Sequence, residues 1–122
     1  MKIIETARQV IEKEFKALKN VSSQIGTDFE SAVKSMYECK GRIIVSGLGK
    51  SGHIAKKLAA TLSSTGTPSF FVHATEALHG DLGMITKDDI VLAISNSGET
   101  KELLNMIPSI KIIGAKIISI TG

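Results

Sequence analysis

The chain has 122 residues, of which 43% are hydrophobic and 22% are charged, and its formal net charge at pH 7 is +3. These values are typical of one globular domain with its own core, and they exclude a disordered or fibrous protein. Acidic and basic residues are interleaved along the chain, so no basic stripe predicts a nucleic-acid partner.

The first eight residues carry charges throughout and contain no apolar run long enough for a signal peptide or a membrane span. The single cysteine, Cys39, excludes an intramolecular disulfide and fits a reducing compartment. We interpret Cys39 as a structural residue, and we expect a cytoplasmic protein without a membrane partner.

Two amphipathic helices are predicted before the first strand. Apolar residues between Ile3 and Ile25 recur at the spacing of one helical face. The stretch 27–30, Thr-Asp-Phe-Glu, has the form of a capping box, and the helix that it opens is predicted to end at Gly41. The first helix either covers the sheet or packs against another subunit, and we favour the second.

Four short apolar runs after Gly41 are predicted to be strands. Three of them contain consecutive apolar residues, which is typical of a parallel sheet that helices cover on both faces. The intervening segments have helical spacing, although Pro108 is expected to kink or break the last one. The predicted strands are 42–46, 69–73, 90–94 and 116–120, and the predicted helices are 51–64, 75–82 and 99–113.

This order of elements predicts an α/β fold, a three-layer αβα sandwich around a parallel sheet. No helix follows the last predicted strand, so we expect a sheet that is truncated at the C-terminus and leaves apolar surface bare. Such a unit is expected to be incomplete or to rely on an oligomer.

The glycine-rich loop 47–52, Gly-Leu-Gly-Lys-Ser-Gly, stands between a predicted strand and a predicted helix and matches the dinucleotide pattern. The next strand ends in His73 rather than in an acidic residue for a ribose, which disfavours NAD. A Walker A loop is excluded because Ile44 occupies the position of its first glycine. The remaining alternatives are an anion site, to which Lys50 and Ser51 donate, and a plain glycine-rich turn.

The serine-rich loop 95–100, Ser-Asn-Ser-Gly-Glu-Thr, also joins a predicted strand to a helix. One hydroxyl suffices to cap a helix, and this loop carries three together with an amide. The surplus of neutral donors predicts a phosphate site that works without magnesium. Both loops follow the carboxyl ends of strands, which is the edge where open α/β sheets bind ligands.

Four segments, 47–53, 65–73, 79–84 and 94–100, together resemble the sugar isomerase (SIS) domain, and 65–84 is most similar to the D-arabinose 5-phosphate isomerases. The resemblance covers residues 41–122, and residues 1–40 are interpreted as N-terminal helices that precede this domain. It implies a Rossmann-like domain that interconverts D-ribulose 5-phosphate and D-arabinose 5-phosphate, on the route to the Kdo of lipopolysaccharide or capsule. It also implies no organic cofactor and a homotetramer with pockets between subunits.

By this resemblance the substrate site is lined by Ser51, Gly66, Thr67, His79, Ser95, Asn96, Ser97 and Thr100. The resemblance makes Glu102 the base and Lys50 the stabiliser of the enediol oxyanion. His79 would also act in ring opening or hydroxyl binding. It further implies that His73 can take up an inhibitory zinc ion.

Each of these roles has a plainer alternative. Glu102 would stabilise a helix dipole in the first turn, and Lys50 would be a solvated loop charge. The spacing of His73 and His79 is not that of a known metal site. We interpret His53 as a residue of a helix start or an interface.

Three functions remain open. The first is an isomerase domain, although the second catalytic Glu, the late His-Pro-Gly-Gly segment and the paired CBS domains of full-length members are absent, so the chain alone is a candidate for an inactive portion. The second is a non-catalytic phosphosugar sensor, although no helix-turn-helix pattern precedes Gly41. The third is another SIS isomerase, acting on a heptose or hexulose phosphate.

Overall fold

The computed structural model describes residues 2–122. The chain divides into two compact units, one ending at Lys34 and one spanning Ser35–Gly122. The helices are α1 Ile3–Gln24, α2 Thr27–Tyr37, α3 Gly49–Ser64, α4 Ala74–Leu78 and α5 Lys101–Ile113. The strands are β1 Ile43–Gly47, β2 Ser69–His73, β3 Ile90–Ser95 and β4 Lys116–Thr121, and a 3₁₀ turn spans Asp81–Met84.

The first unit is helical, and α1 contains no buried residue. The predicted capping box at the start of α2 does not form. The amide of Glu30 donates to the carbonyl of Gly26 at 3.1 Å, so Gly26 takes the cap position and Thr27 is already helical. The Glu30 carboxylate instead pairs with the Lys34 ammonium at 2.7 Å.

The second unit is built on a four-stranded sheet in the order β2-β1-β3-β4, in which every pairing is parallel. All five residues of β1 are buried, as expected for a strand with neighbours on both sides and helices on both faces. The predicted α/β class and all four predicted strands are confirmed.

Each face of the sheet has its own apolar core, because successive side chains of a strand point to opposite faces. On one face Ile44 and Val91 pack with residues of α4 and α5, including Met106. On the other face Val45 and Leu92 pack with the small residues of α3, such as Ala55. This arrangement is the predicted three-layer sandwich.

Two predicted helices differ in detail. The segment 75–82 forms a short helix that ends at Leu78, followed by the 3₁₀ turn. The last helix is not broken at Pro108. The missing proline N–H leaves the carbonyl of Leu104 without its helical donor, and both residues are exposed, so water can serve that carbonyl.

Asp89 ties the beginning of β1 to the turn before β3. Its carboxylate accepts the amide N–H groups of Arg42 and Thr86, each at 2.7 Å, and the residue is only 3% exposed. A Cβ on Gly41 would collide with this carboxylate and lie 2.6 Å from the Asp88 carbonyl oxygen. Gly41 is therefore required by close packing here, and it does not merely mark the end of a helix.

The outer strand β4 is mostly exposed, including Ile120, and α5 exposes 87% of Ile112. Apolar surface is thus bare beside the last strand, as predicted. Over residues 2–122, no helix has both the length and the apolar composition that crossing a bilayer requires.

Candidate functional site

The topology brings the two predicted loops to one edge of the sheet. Strands β1 and β3 are adjacent and parallel, with Ser46 paired to Ala93. The glycine-rich loop leaves the carboxyl end of β1 and the serine-rich loop leaves the carboxyl end of β3. Each loop leads directly into a helix, α3 and α5 respectively. Two helix N-termini therefore open at the same edge.

Close packing explains two glycines of the first loop. A Cβ on Gly47 would lie 2.8 Å from the Ser51 carbonyl oxygen, and a Cβ on Gly52 would lie 3.3 Å from the Gly47 carbonyl oxygen. Gly49 has φ +60°, a left-handed conformation that glycine adopts freely. Close packing of α3 on β1 therefore accounts for the glycine pattern, and no bound dinucleotide is needed to explain it.

The first turn of α3 has no side-chain cap. Leu48 occupies the cap position and makes no side-chain hydrogen bond, and the first intrahelical bond runs from the Gly52 amide to the Leu48 carbonyl at 3.3 Å. The three preceding amides have no intrahelical partner and are oriented as anion donors. Lys50 lies exposed on this turn, and Ser51 is partly buried beside it.

Hydrogen bonds within the serine-rich loop fix its shape. The Ser95 hydroxyl accepts the Gly98 amide N–H at 3.1 Å and pairs with the Thr100 hydroxyl at 2.7 Å. The Ser97 hydroxyl accepts the Glu99 amide N–H at 3.0 Å. Gly98 has φ +70°, which lets the chain turn into α5.

The Ser95–Thr100 pairing leaves the N-terminus of α5 open. Thr100 occupies the cap position but makes no side-chain cap bond, and the first intrahelical bond runs from the Leu104 amide to the Thr100 carbonyl at 3.0 Å. The amides of residues 101–103 therefore have no intrahelical partner. Such groups, at the positive end of a helix dipole, favour an anion.

The end of β4 supports this loop from one side. The Gly122 amide donates to the Asn96 carbonyl at 2.9 Å. A Cβ on Gly98 would lie 3.3 Å from the Thr121 methyl group, so the loop and the strand end are in close contact. This backbone bond and close contact hold one side of the loop, while the Asn96 and Ser97 side chains remain exposed.

The charged candidates lie in the first turns of the two helices. Lys50 belongs to α3, and Glu102 is a half-buried residue of α5. Both positions are at the edge where the loops meet, so the structure places a cation and a carboxylate at the same end of the sheet. Their catalytic roles stay predictions.

The two histidines flank α4. His73 caps this helix, because its Nδ1 accepts the Thr75 amide N–H at 3.2 Å, and its ring forms a T-shaped pair with Phe71 at 6.3 Å between centroids. His79 is exposed at the other end of α4. Within residues 2–122 no three His, Cys, Asp or Glu side chains gather as metal ligands would, so zinc at His73 stays a prediction. His53 is an exposed residue near the start of α3.

Gly66 and Thr67 lie at the opposite ends of the strands, just before β2 begins. They precede β2, whose five residues span about 17 Å, whereas the serine-rich loop follows the carboxyl end of β3. With Cys39 and Gly41 they line a separate cavity of about 270 Å³. One chain does not bring these residues to Ser95, and their contact with substrate stays a prediction.

The SIS domain family model matches residues 35–122. The chain is 55% identical over 119 residues to arabinose 5-phosphate isomerase KdsD of Pseudomonas aeruginosa, covering 98% of this chain and 36% of that protein. It is 49% identical over 121 residues to arabinose 5-phosphate isomerase KpsF of Escherichia coli, covering 98% and 37%. The chain thus spans little more than a third of the curated relatives that it matches.

Solved structures agree with this assignment. An Escherichia coli CFT073 protein in complex with arabinose 5-phosphate has a TM-score of 0.93 and 50% identity, covering 98% of this chain and 64% of that one. Phosphoheptose isomerase GmhA of Neisseria gonorrhoeae has a TM-score of 0.82 at 16% identity, covering 98% and 75%, and shares the fold. On this sequence and structural evidence, the chain belongs to the SIS domain family.

Proposed function

We propose that this chain is the phosphosugar-binding part of an isomerase that interconverts D-ribulose 5-phosphate and D-arabinose 5-phosphate. The observation that carries the proposal is the open N-terminus of α5, where the hydroxyls and amides of the serine-rich loop converge. The relatives at 49–55% identity are named arabinose 5-phosphate isomerases, and a similar structure is a complex with arabinose 5-phosphate.

In this proposal the phosphate is a handle that remains bonded to the sugar. The Ser97 oxygen already accepts the Glu99 amide, so its hydroxyl hydrogen can donate to a phosphate oxygen. The Asn96 amide group and the free amides of α5 add donors, while Ser51 and the amides of α3 approach from the neighbouring loop. Neutral donors at two helix termini stabilise a dianion without a metal.

The reaction moves a proton between C1 and C2 of the sugar through an enediol. Glu102 would act as the base, Lys50 would stabilise the developing oxyanion, and His79 would assist ring opening or bind a hydroxyl. Supporting this, Lys50 and Glu102 lie in the first turns of two helices that begin at one edge of the sheet. Holding the phosphate there would keep the reacting carbons close to both side chains.

We also propose a cytoplasmic homo-oligomer, a tetramer, whose product feeds Kdo and lipopolysaccharide synthesis. Supporting the oligomer, α1 carries a row of exposed apolar side chains and buries none of them. A neighbouring subunit could also supply Gly66 and Thr67, which one chain keeps away from the serine-rich loop. The site would then lie between subunits.

The test pairs a binding measurement with an assay of pentose-phosphate interconversion. We expect calorimetry to show binding of D-arabinose 5-phosphate but not of D-arabinose, because the phosphate supplies the main contacts. Ser97→Ala should weaken binding about tenfold, since it removes one hydrogen bond to a charged group. Ser64→Ala is the matched control, because its hydroxyl bonds the Thr61 carbonyl at the far end of α3.

Equal binding of the sugar with and without its phosphate would contradict the proposal. An unchanged affinity for Ser97→Ala would contradict the placement of the phosphate. Binding without turnover by this chain would confine it to the non-catalytic role of a phosphosugar module.

A further inference from the structure

Ser46 is a polar residue in the interior of the sheet. It is 0% exposed, and its hydroxyl donates to the Met106 sulfur at 3.9 Å, which is a weak acceptor. Burying a hydroxyl costs free energy unless a partner compensates it, and a thioether compensates it poorly. An alanine would occupy nearly the same space at a lower cost, so packing alone does not account for a serine in β1.

The Ser46–Met106 hydrogen bond joins the two elements that carry the charged candidates. The glycine-rich loop with Lys50 follows Ser46 directly, and Met106 lies one turn after Glu102 in α5. Within residues 2–122 it is the one side-chain hydrogen bond between β1 and α5. Residues four apart are neighbours on a helix face, and helical side chains lean towards the N-terminus. The Met106 side chain therefore starts towards the turn that carries Glu102.

Methionine needs such a partner if it is to hold one conformation. Its side chain has several rotatable bonds and fills irregular gaps, so apolar contacts alone leave it more than one arrangement. Met106 is 1% exposed and belongs to the same core as Ile44 and Val91, on the sheet face that α5 covers. A hydrogen bond to its sulfur selects one arrangement and so fixes how α5 lies along β1.

Resting on the proposed function, we propose that Ser46 is a positioning residue for the isomerisation, acting through Met106 to hold Glu102 in place. Because the same strand leads to Lys50, the bond also sets the distance between the base and the cation. The Ser46 hydroxyl touches neither the sugar nor its phosphate, since it is fully buried. Proton transfer requires the base within hydrogen-bonding reach, so loss of the hydroxyl slows turnover while the phosphate contacts keep the affinity.

Turnover kinetics separate this role from a merely structural one. We expect Ser46→Ala to lower kcat for D-arabinose 5-phosphate about tenfold and to leave KM within about twofold of the wild-type value. Ile44→Val is the matched control, because Ile44 lies on the same face of β1 in the same core. Its lost methyl group should lower the free energy of unfolding without changing kcat. Ser46→Cys keeps a weak donor and should recover part of kcat.

A double-mutant cycle shows whether Ser46 acts through Met106. Met106→Leu keeps the volume but removes the acceptor, so it should lower kcat as much as Ser46→Ala does. The double variant should lower kcat no further. The free energy of unfolding gives an independent signature. Met106→Leu leaves a buried hydroxyl unpaired and should destabilise the fold, whereas adding Ser46→Ala should restore the stability.

The carbon-13 resonance of the Met106 methyl group reports on the same contact without any turnover, because its shift depends on the conformation of the side chain. We expect this resonance and the Glu102 amide resonance to shift in Ser46→Ala and to stay in place in a variant of the exposed end of α3, Ser64→Ala.

Three results would overturn the inference: wild-type kcat in Ser46→Ala, losses of kcat that multiply in the double variant, or Met106 and Glu102 resonances that do not respond to Ser46→Ala. An equal loss of kcat in Ile44→Val would overturn it as well, because any weakening of this core would then suffice. A wild-type chain that neither binds nor converts D-arabinose 5-phosphate would overturn the proposed function. The two resonances would then still decide whether Ser46 holds Glu102 in place.

Discussion

Gly47 shows how one residue joins packing to the site. Its missing Cβ lets the Ser51 carbonyl oxygen approach to 2.8 Å from where that atom would lie. This contact sets the first turn of α3 against β1 and so fixes the direction of its free amides. Gly47 thus shapes the candidate anion site although it carries no donor side chain.

Gly47→Ala should therefore lower both stability and affinity. The added methyl would push α3 away from β1, at a cost of about 2 kcal/mol in the free energy of unfolding, as for other overpacked sites. Chemical denaturation measures this cost, and calorimetry measures the loss of sugar-phosphate binding. Gly83→Ala is the control, because nothing lies within 4 Å of its added Cβ. Wild-type behaviour of Gly47→Ala would show that this close approach is dispensable.

Asp89 carries a structural role that residue type alone does not reveal. Asp89→Ala would leave the amides of Arg42 and Thr86 without their part-buried acceptor, so we expect a loss of about 2 kcal/mol in the free energy of unfolding. Denaturant titration checks the value. The neighbouring Asp88→Ala should change stability by less than about 0.5 kcal/mol, because the Asp88 side chain is exposed. Equal effects of the two changes would argue against the proposed role of the Asp89 carboxylate in joining β1 to the turn before β3.

At the scale of elements, the sequence predicts those strands and helices whose signal lies in the order of neighbouring residues. Consecutive apolar residues in β1 and β3 indicate buried parallel strands, and the helical faces follow from spacing. A kink or a break was predicted at Pro108, and the helix is not broken there, because water can serve the carbonyl that loses its donor on this exposed turn. The hydrogen bond between Asp89 and the Arg42 amide could not be predicted, because the two residues lie 47 positions apart in the sequence.

The interior of the site was equally hard to predict. Three hydroxyls in six residues indicate an anion site, but their different roles depend on backbone angles. The left-handed turn at Gly98 accompanies a bond from its amide to Ser95, and the same turn precedes the Thr100 cap position. The sequence gives the number of donors, whereas the folded loop decides which of them remain free.

Helix α1 gives a prediction about assembly. Its apolar side chains face solvent, so in a homo-oligomer they would lie in the interface. Leu18→Lys should shift the chain to smaller species in sedimentation velocity. Gln9→Lys adds the same charge on the polar face and should leave the assembly intact. A monomeric wild type, or equal effects of both changes, would contradict the proposed interface.

For the molecule as a whole, the candidate functional groups gather at the carboxyl ends of the central strands. The carboxyl ends of β1 and β3 present two open helix N-termini, the candidate base and the candidate cation. Gly66 and Thr67 lie at the opposite ends of the strands, so a single chain assembles the candidate phosphate cradle but not every residue that the family resemblance implies. Binding of the phosphate is therefore the property that this chain should show by itself.

The most direct measurement is a crystal structure of the chain with D-arabinose 5-phosphate. We expect the phosphate at the N-terminus of α5, within hydrogen-bonding distance of the Ser97 and Thr100 hydroxyls and the first amides of that helix. A phosphate bound elsewhere, for example only against the glycine-rich loop or in the cavity beside Thr67, would contradict it.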